Sequence, residues 1–249
     1  MLNIPALTQS LTSGKLSADS QEHAIMVLSC LSSDQENHDE LIANGNIPPF
    51  IESLSAGEKL STNAKRFAAV GLAHLAADNE ERQSLICEAV EPLVEWLLAS
   101  EGAVEVEHIA LRPVAALALA ATGRGDISLQ KRVAEAGSIE PLVTMLESQA
   151  GPDANEAACA SLATLAVGSA SIQHDIAHAG AIPLLVALIQ HRKEAIRENS
   201  SFAIAMLGGL PENKVLIANA GGIRPLIELL TIGNEATQQF VARAVSLLA

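Results

Sequence analysis

The nearest thing to a chemical motif in this chain is His174-Asp175-Ile176-Ala177-His178. Two imidazoles four residues apart share one helical face, the spacing at which a helix offers two nitrogens to zinc. Asp175 stands where a zinc hydrolase needs a glutamate as general base, and the segment falls in a short polar helix, so no metal site is assigned. Cys30, Cys87 and Cys159 are far apart and lack CxxC spacing, which argues against a zinc knuckle or a disulfide framework. They read as small core residues in a reducing compartment, the cytoplasm or the nucleus. The chain has no GxxxxGK[ST] loop, no GxGxxG after a strand and no Gly-x-Ser-x-Gly elbow. No catalytic residue, cofactor or metal follows from the sequence, and the expectation is a protein that is not an enzyme.

What repeats is architectural. Asn3-Ile4-Pro5-Ala6-Leu7 returns as Asn46-Ile47-Pro48-Pro49-Phe50, Val90-Glu91-Pro92-Leu93, Ile139-Glu140-Pro141-Leu142, Ile182-Pro183-Leu184-Leu185 and Ile223-Arg224-Pro225-Leu226. The anchors Ile4, Ile47, Val90, Ile139, Ile182 and Ile223 lie 43, 43, 49, 43 and 41 residues apart. Such a period marks stacked helical units that cannot bury their apolar faces alone. In the unit around Ala134–Val167, Gly137 ends a short helix in the left-handed conformation, Ser138 caps the next, and Pro141 sits in its first turn. Ile139, Leu142, Val143 and Leu146 form a helical stripe, and a longer helix carries Ala158, Leu162, Leu165 and Ala166. Matching stripes are Ala24/Leu28/Leu31, Ala68/Leu72/Leu75, Ala203/Met206 and Ala244/Val245/Leu248. Each unit is expected to hold a short, a medium and a long helix. Pro113 should kink the third long helix, and the longest unit bulges at Thr122–Ile127, where Arg124 and Asp126 are candidate contact residues.

The run Ala136-Gly137-Ser138-Ile139-Glu140-Pro141-Leu142-Val143, with Glu156-Ala157-Ala158-Cys159-Ala160-Ser161-Leu162-Ala163-Thr164-Leu165-Ala166, resembles an armadillo repeat. That resemblance implies an all-α, right-handed α-α superhelix of about six three-helix repeats, the first incomplete. The approximate units are 1–34, 35–78, 79–122, 123–168, 169–210 and 211–249, in a single solenoid that is part of a larger protein or assembly. Leu2, Ile4 and Leu7 at one end, and Phe240, Val241 and Leu247 at the other, would present apolar surface for further repeats or partners to cover.

In armadillo arrays the long helices line a concave groove, where importin-α-like and β-catenin-like members carry an Asn near each long-helix end. Here the matching positions are Cys30, His74, Ala118, Thr164, Ala205 and Leu247, and one turn earlier Met26, Val70, Val114, Ala160, Ser201 and Arg243. Neither the Asn ladder nor the importin-like Trp is present, so extended-peptide recognition by that mode is not expected. The groove reading assigns partner contact to Met26, Cys30, Phe67, Val70, His74, Ala160, Thr164, Glu198, Ser201 and Arg243. Glu105, Glu107, Glu156 and Glu194 join Glu198 at long-helix starts, where acids also complement the helix dipole. Trp96, on a medium helix, reads as a core filler, with a convex-surface anchor as the alternative.

Composition narrows the partner. Of the 249 residues, 49% are apolar and 2% aromatic, with Lys and Arg totalling 15 against 29 Asp and Glu, a formal charge of −14. An acidic chain poor in stacking aromatics is expected to bind neither nucleic acid nor anionic lipid. No apolar run reaches the roughly 18–20 residues of a membrane span, and no secretory signal is visible. The expected role is a non-catalytic scaffold or adaptor docking other proteins through an amphipathic helix, a folded surface or a basic segment. Two rivals keep the fold: the substrate-recruiting arm of an enzyme such as a ubiquitin ligase, and a nuclear-import-type adaptor.

Overall fold

The structure, a computed structural model, describes residues 3–56, 59–76, 80–98, 114–121, 125–147 and 151–248. No strand occurs among them. The chain divides into two compact units, Met1–Leu129 and Gln130–Ala249.

In the first unit α1 (Ile4–Thr12) and α2 (Ala18–Leu31) form a pair without a preceding short helix. A 3-10 turn, Gln35–Asn37, then leads into α3 (His38–Ala43), α4 (Ile47–Leu54) and α5 (Thr62–Ala76). The next repeat has α6 (Glu80–Ile86), the 3-10 turn Cys87–Ala89, α7 (Val90–Leu98) and helical residues 114–121, called α8. Long helix α2 packs along α5, and α4 crosses beneath α5. Phe50 of α4 is fully buried against α5, where a Cβ on Gly71 would come 2.7 Å from its ring. Only glycine lets these helices approach so closely.

The division falls within α9 (Ile127–Glu135), which leads into α10 (Ile139–Glu147) and α11 (Pro152–Leu165). Two further triplets follow: α12 (Ala170–His178), α13 (Ala181–Leu188), α14 (Glu194–Leu207), then α15 (Pro211–Asn219), α16 (Ile223–Ile232) and α17 (Glu235–Leu248). The long helices stack in sequence, α11 on α14 and α14 on α17.

Most residues of the expected stripes are core, while Leu31, Val245 and Leu248 are half-buried. Ala24, Leu28, Ala68, Leu72, Leu75, Ala158, Leu162, Leu165, Ala203, Met206 and Ala244 are all buried. The expected distinction between short and medium helices is not general: α12 has 9 residues and α13 has 8. Gly137 has φ +87°, the left-handed stop that the sequence required between α9 and α10. Ser138 does not cap as expected. Its hydroxyl is buried without a hydrogen-bond partner, and only its carbonyl, accepting from Leu142 N–H, begins the helix. Pro113 lies outside the described residues.

Three further expectations change. Cys30 is exposed and Cys87 half-buried, and only Cys159 is a core residue. Trp96 is half-buried rather than core. Nor is the apolar surface of the last repeat where it was expected. Val241 is buried, Phe240 packs on Phe202, and the exposed apolar residues are Ile223, Ile227 and Ile232 of α16 with Val215 and Leu216 of α15. In the first repeat Ile4 is likewise buried. No single helix among the described residues is long and apolar enough to cross a membrane.

Candidate partner-binding face of the long helices

A long helix buries the side it presents to its neighbours and leaves one flank open. Residues on that flank recur at fixed distances from the helix end. The C-caps Ser32, Ala166 and Gly208 close α2, α11 and α14, and α5 ends at Ala76. Two residues before the buried aliphatics Leu28, Leu72, Leu162 and Ile204 stand Met26, Val70, Ala160 and Phe202, all half-buried. Arg243, in the same phase of α17, is exposed.

This register corrects two positions. Ser201 is fully buried and belongs to the stacking face, as does Ala205. The residues that take their expected places are Phe202 and Met206. The Ala203/Met206 stripe misled because its spacing of three fits either of two registers. The buried aliphatic equivalent to Leu28, Leu72 and Leu162 is Ile204, four residues before its C-cap.

With the register set, the same apolar pair appears in each unit. In the first, Met26 of α2 and Phe67 of α5 line a shallow depression of about 200 Å³ with Glu22, His23, Asn63 and Ala64. In the second, Phe202 of α14 and Phe240 of α17 meet with ring centroids 4.6 Å apart and planes tilted by 32°. Phe67 and Phe240 both stand three residues before the Val70/Arg243 position. Sequence reasoning found Met26 and Phe67 but missed Phe202 through the register error and expected Phe240 as open end surface.

The other candidates are less available. His74 is half-buried, and its Nδ1 lies 3.2 Å from Ser32 Oγ. Since Ser32 Oγ donates to the Ser29 carbonyl at 2.7 Å, the imidazole is the donor in that contact. Burial, and then the nearby His38, hold the His74 pKa below the usual histidine value, against a hydrogen bond the imidazole donates to the Ser29 carbonyl. Thr164 is buried; Glu198 is half-buried and Cys30 exposed, both on the open flank. Arg124, Glu105 and Glu107 lie outside the described residues. Asp126 caps α9, its Oδ1 accepting from Ser128 N–H, Ser128 Oγ and Leu129 N–H at 2.8, 2.7 and 3.2 Å. Those donors, the Ser128 hydroxyl first, lower its pKa.

Acids at long-helix starts reach forward to the next long helix. Glu22 accepts from Ser61 N–H at 2.7 Å and Ser61 Oγ at 2.8 Å, ahead of α5. Lys193, ahead of α14, pairs with Asp153 at 2.8 Å and Glu156 at 2.7 Å. Glu194 accepts from Asn234 at 2.7 Å, and Asn234 in turn caps α17 through Thr237 N–H. Glu156 and Glu194 are thereby committed to structure, while Glu198 remains on the open flank. His174 and His178 are both exposed, with ring centroids 6.2 Å apart and Glu212 3.8 Å from His174.

Residues 211–249 match the family described as Armadillo/beta-catenin-like repeat. An engineered protein solved by crystallography is similar at 26% identity, covering 100% of this chain and 97% of that one, with a TM-score of 0.83. A designed armadillo repeat protein is similar at 27% identity, with 99% and 100% covered and a TM-score of 0.84. Another, solved in complex with the peptide (KR)4, is similar at 26% identity with both chains covered at 100% and a TM-score of 0.80. No curated protein gives a significant sequence match. The structure has the fold of an armadillo-type α-solenoid, and residues 211–249 are similar to the armadillo family model.

Proposed function

We propose that this chain is a non-catalytic protein-binding scaffold whose long-helix faces dock an amphipathic segment carrying both apolar and basic residues. The observation that carries this reading is the repeated apolar pair, Met26 with Phe67 and Phe202 with Phe240, half-exposed at equivalent positions. Exposed aromatic and methionine side chains on a rigid surface are what helix-in-groove recognition uses. Glu198 beside the second pair, and a formal charge of −14, favour a basic partner. The designed relative in complex with (KR)4 supports a protein partner, although the positions where natural family members place Asn hold Cys30, His74, Thr164 and Met206 here. A side chain without paired donor and acceptor cannot hold a peptide backbone in register, so apolar contact supplies the specificity.

Fluorescence anisotropy tests this with a labelled Leu/Lys amphipathic helical peptide and a scrambled control. The helical peptide should bind in the micromolar range, and Phe202→Ala with Phe240→Ala should weaken it about tenfold or more. Equal binding of the scrambled peptide, or indifference to both substitutions, would refute the reading. A second reading, an adaptor for Lys/Arg-rich segments, draws on the charge and the (KR)4 relative. It predicts that (KR)4 binds without the apolar pairs and loses affinity steeply with salt.

A further inference from the structure

A cavity recurs where the connection from a second helix to a long helix meets the second helix of the next repeat. In the first unit it measures about 310 Å³, and Gly14, Gln21, Pro49 and Glu52 are among the residues lining it. In the second unit it measures about 370 Å³, and Arg192, Arg197, Pro225 and Glu228 line it with His191. The positions correspond. Pro49 and Glu52 stand two and five residues after Ile47, as Pro225 and Glu228 do after Ile223. Gly14 and Arg192 each stand ten residues after Ile4 and Ile182, and Gln21 and Arg197 are each the fourth residue of a long helix. In the first unit α6 and α7 follow the cavity, and in the second α10, α11 and α12 precede it. The opening is therefore a property of the junction between two repeats.

What differs between the two is charge. Arg192, Lys193 and Arg197 are three of the 15 Lys and Arg of an acidic chain, gathered within six residues. Lys193 is held by Asp153 and Glu156 and adds nothing to the cavity. Arg197 is half-buried and donates from Nη1 to the carbonyls of His191 and Arg192, at 3.0 Å each, which fixes its guanidinium. Its Nε and Nη2 make no hydrogen bond among the described residues, and the exposed Arg192 has no ion pair among them. His191 Nδ1 accepts from Lys193 N–H at 3.0 Å, so the hydrogen of the ring is on Nε2, a donor. Glu228, the acid in the lining, already accepts from Gln190 Nε2 and from Arg224 Nε, each at 2.9 Å. Two guanidinium charges thus face the cavity without an answering carboxylate, beside an apolar wall of Pro225, Leu229 and Ile232. Bracing the loop explains Arg197 Nη1 alone. It does not explain Arg192, nor why cations stand where the first unit has Gly14 and Gln21.

We propose that this cavity binds a phosphate monoester carried on an apolar stem. Such a group holds close to two negative charges at neutral pH, matching two guanidinium groups, and its oxygens accept the paired N–H donors of an arginine. A carboxylate brings one charge and leaves one guanidinium unmatched. Pro225, Leu229 and Ile232 take the stem. The site is built from different residues than the long-helix flank, and its ligand has the opposite charge to the basic partner proposed there, so the two readings fail independently.

Amide chemical shifts of the ¹⁵N-labelled chain, titrated with phenyl phosphate to roughly 10 mM, test the site. Saturable shifts should gather in residues 189–197 and 224–233, with a dissociation constant on the order of 0.1–1 mM. Arg192→Gln, at an exposed residue that the fold does not use, should weaken binding about tenfold or more. Phe202→Ala with Phe240→Ala should leave it unchanged. Benzoate should bind about fivefold more weakly or less tightly still, and inorganic phosphate should also bind more weakly than phenyl phosphate. A phosphotyrosine peptide with Gly/Ser flanks separates the sources: tighter binding than phenyl phosphate assigns the group to a partner's modified side chain, and equal binding to a free ester. The absence of saturable shifts, shifts centred elsewhere, or indifference to Arg192→Gln overturns the site. Benzoate or inorganic phosphate binding as tightly as phenyl phosphate overturns the ligand class.

Discussion

Gln173 donates from Nε2 to the carbonyl of Ala166 at 2.7 Å, so the first helix of one repeat closes the end of the long helix before it. His38 does the same for Ser32 at 2.7 Å, Gln83 for Ala76 at 3.2 Å, and Asn213 for Leu207 at 3.0 Å. The last four carbonyls of a helix lack partners within it, and burial between repeats keeps water from supplying them. A side-chain N–H from the next repeat meets that need and ties neighbouring units together.

Replacing Gln173 with Leu keeps approximate volume but leaves the Ala166 carbonyl buried and unpaired. The expected loss is about 1–3 kcal/mol, visible as a lower midpoint in urea with an unchanged slope. His38→Gln, which retains a donor, should cost less than His38→Leu. Equal effects of the two would remove the hydrogen bond from the explanation.

Gly71→Ala should destabilise by about 1–3 kcal/mol, because its methyl would meet the Phe50 ring at 2.7 Å. Phe50→Leu in the same chain should recover part of that loss. A thermal melt of the single and double variants reads both effects, and additivity would show that the two residues do not share the contact.

Acid should weaken the first unit partly through His74. Its folded pKa lies below the unfolded value of about 6.5, so the neutral form is favoured by folding. The stability it contributes is complete above pH 6.5 and falls as pH drops from there through the folded pKa. Denaturant titrations between pH 7 and pH 5 should show a shallower loss in His74→Gln than in the wild type. Parallel curves would mean that His74 does not contribute.

The cysteines should separate by reactivity. Burial pushes the Cys159 thiol up to about 12, with Glu156 adding to the shift, so thiolate is scarce at neutral pH. Cys30 is exposed. Iodoacetamide at pH 8 should label Cys30 within minutes and leave Cys159 unmodified until the protein unfolds, as peptide mass mapping would record.

The sequence determined the repeat. Proline in the first turn of each second helix and Ala/Leu stripes are local demands that recur at Ile47, Val90, Ile139, Ile182 and Ile223, and a left-handed glycine precedes all of these but Val90, where the 3-10 turn Cys87–Ala89 stands instead. Half of the candidate face was legible too, since Met26 and Phe67 follow from helical phase alone. What required tertiary structure was everything fixed by a neighbouring helix. Ser201 or Phe202 could each have faced outward, because a run of small residues supports two registers, and packing against α11 and α17 chose between them. The pairing of Gln173 with Ala166, of Lys193 with Asp153 and of Gly71 with Phe50 likewise depends on distances across repeats. Spacing along the chain encodes which helices form, but only the stacked layers decide which polar atoms meet and which apolar side chains stay open.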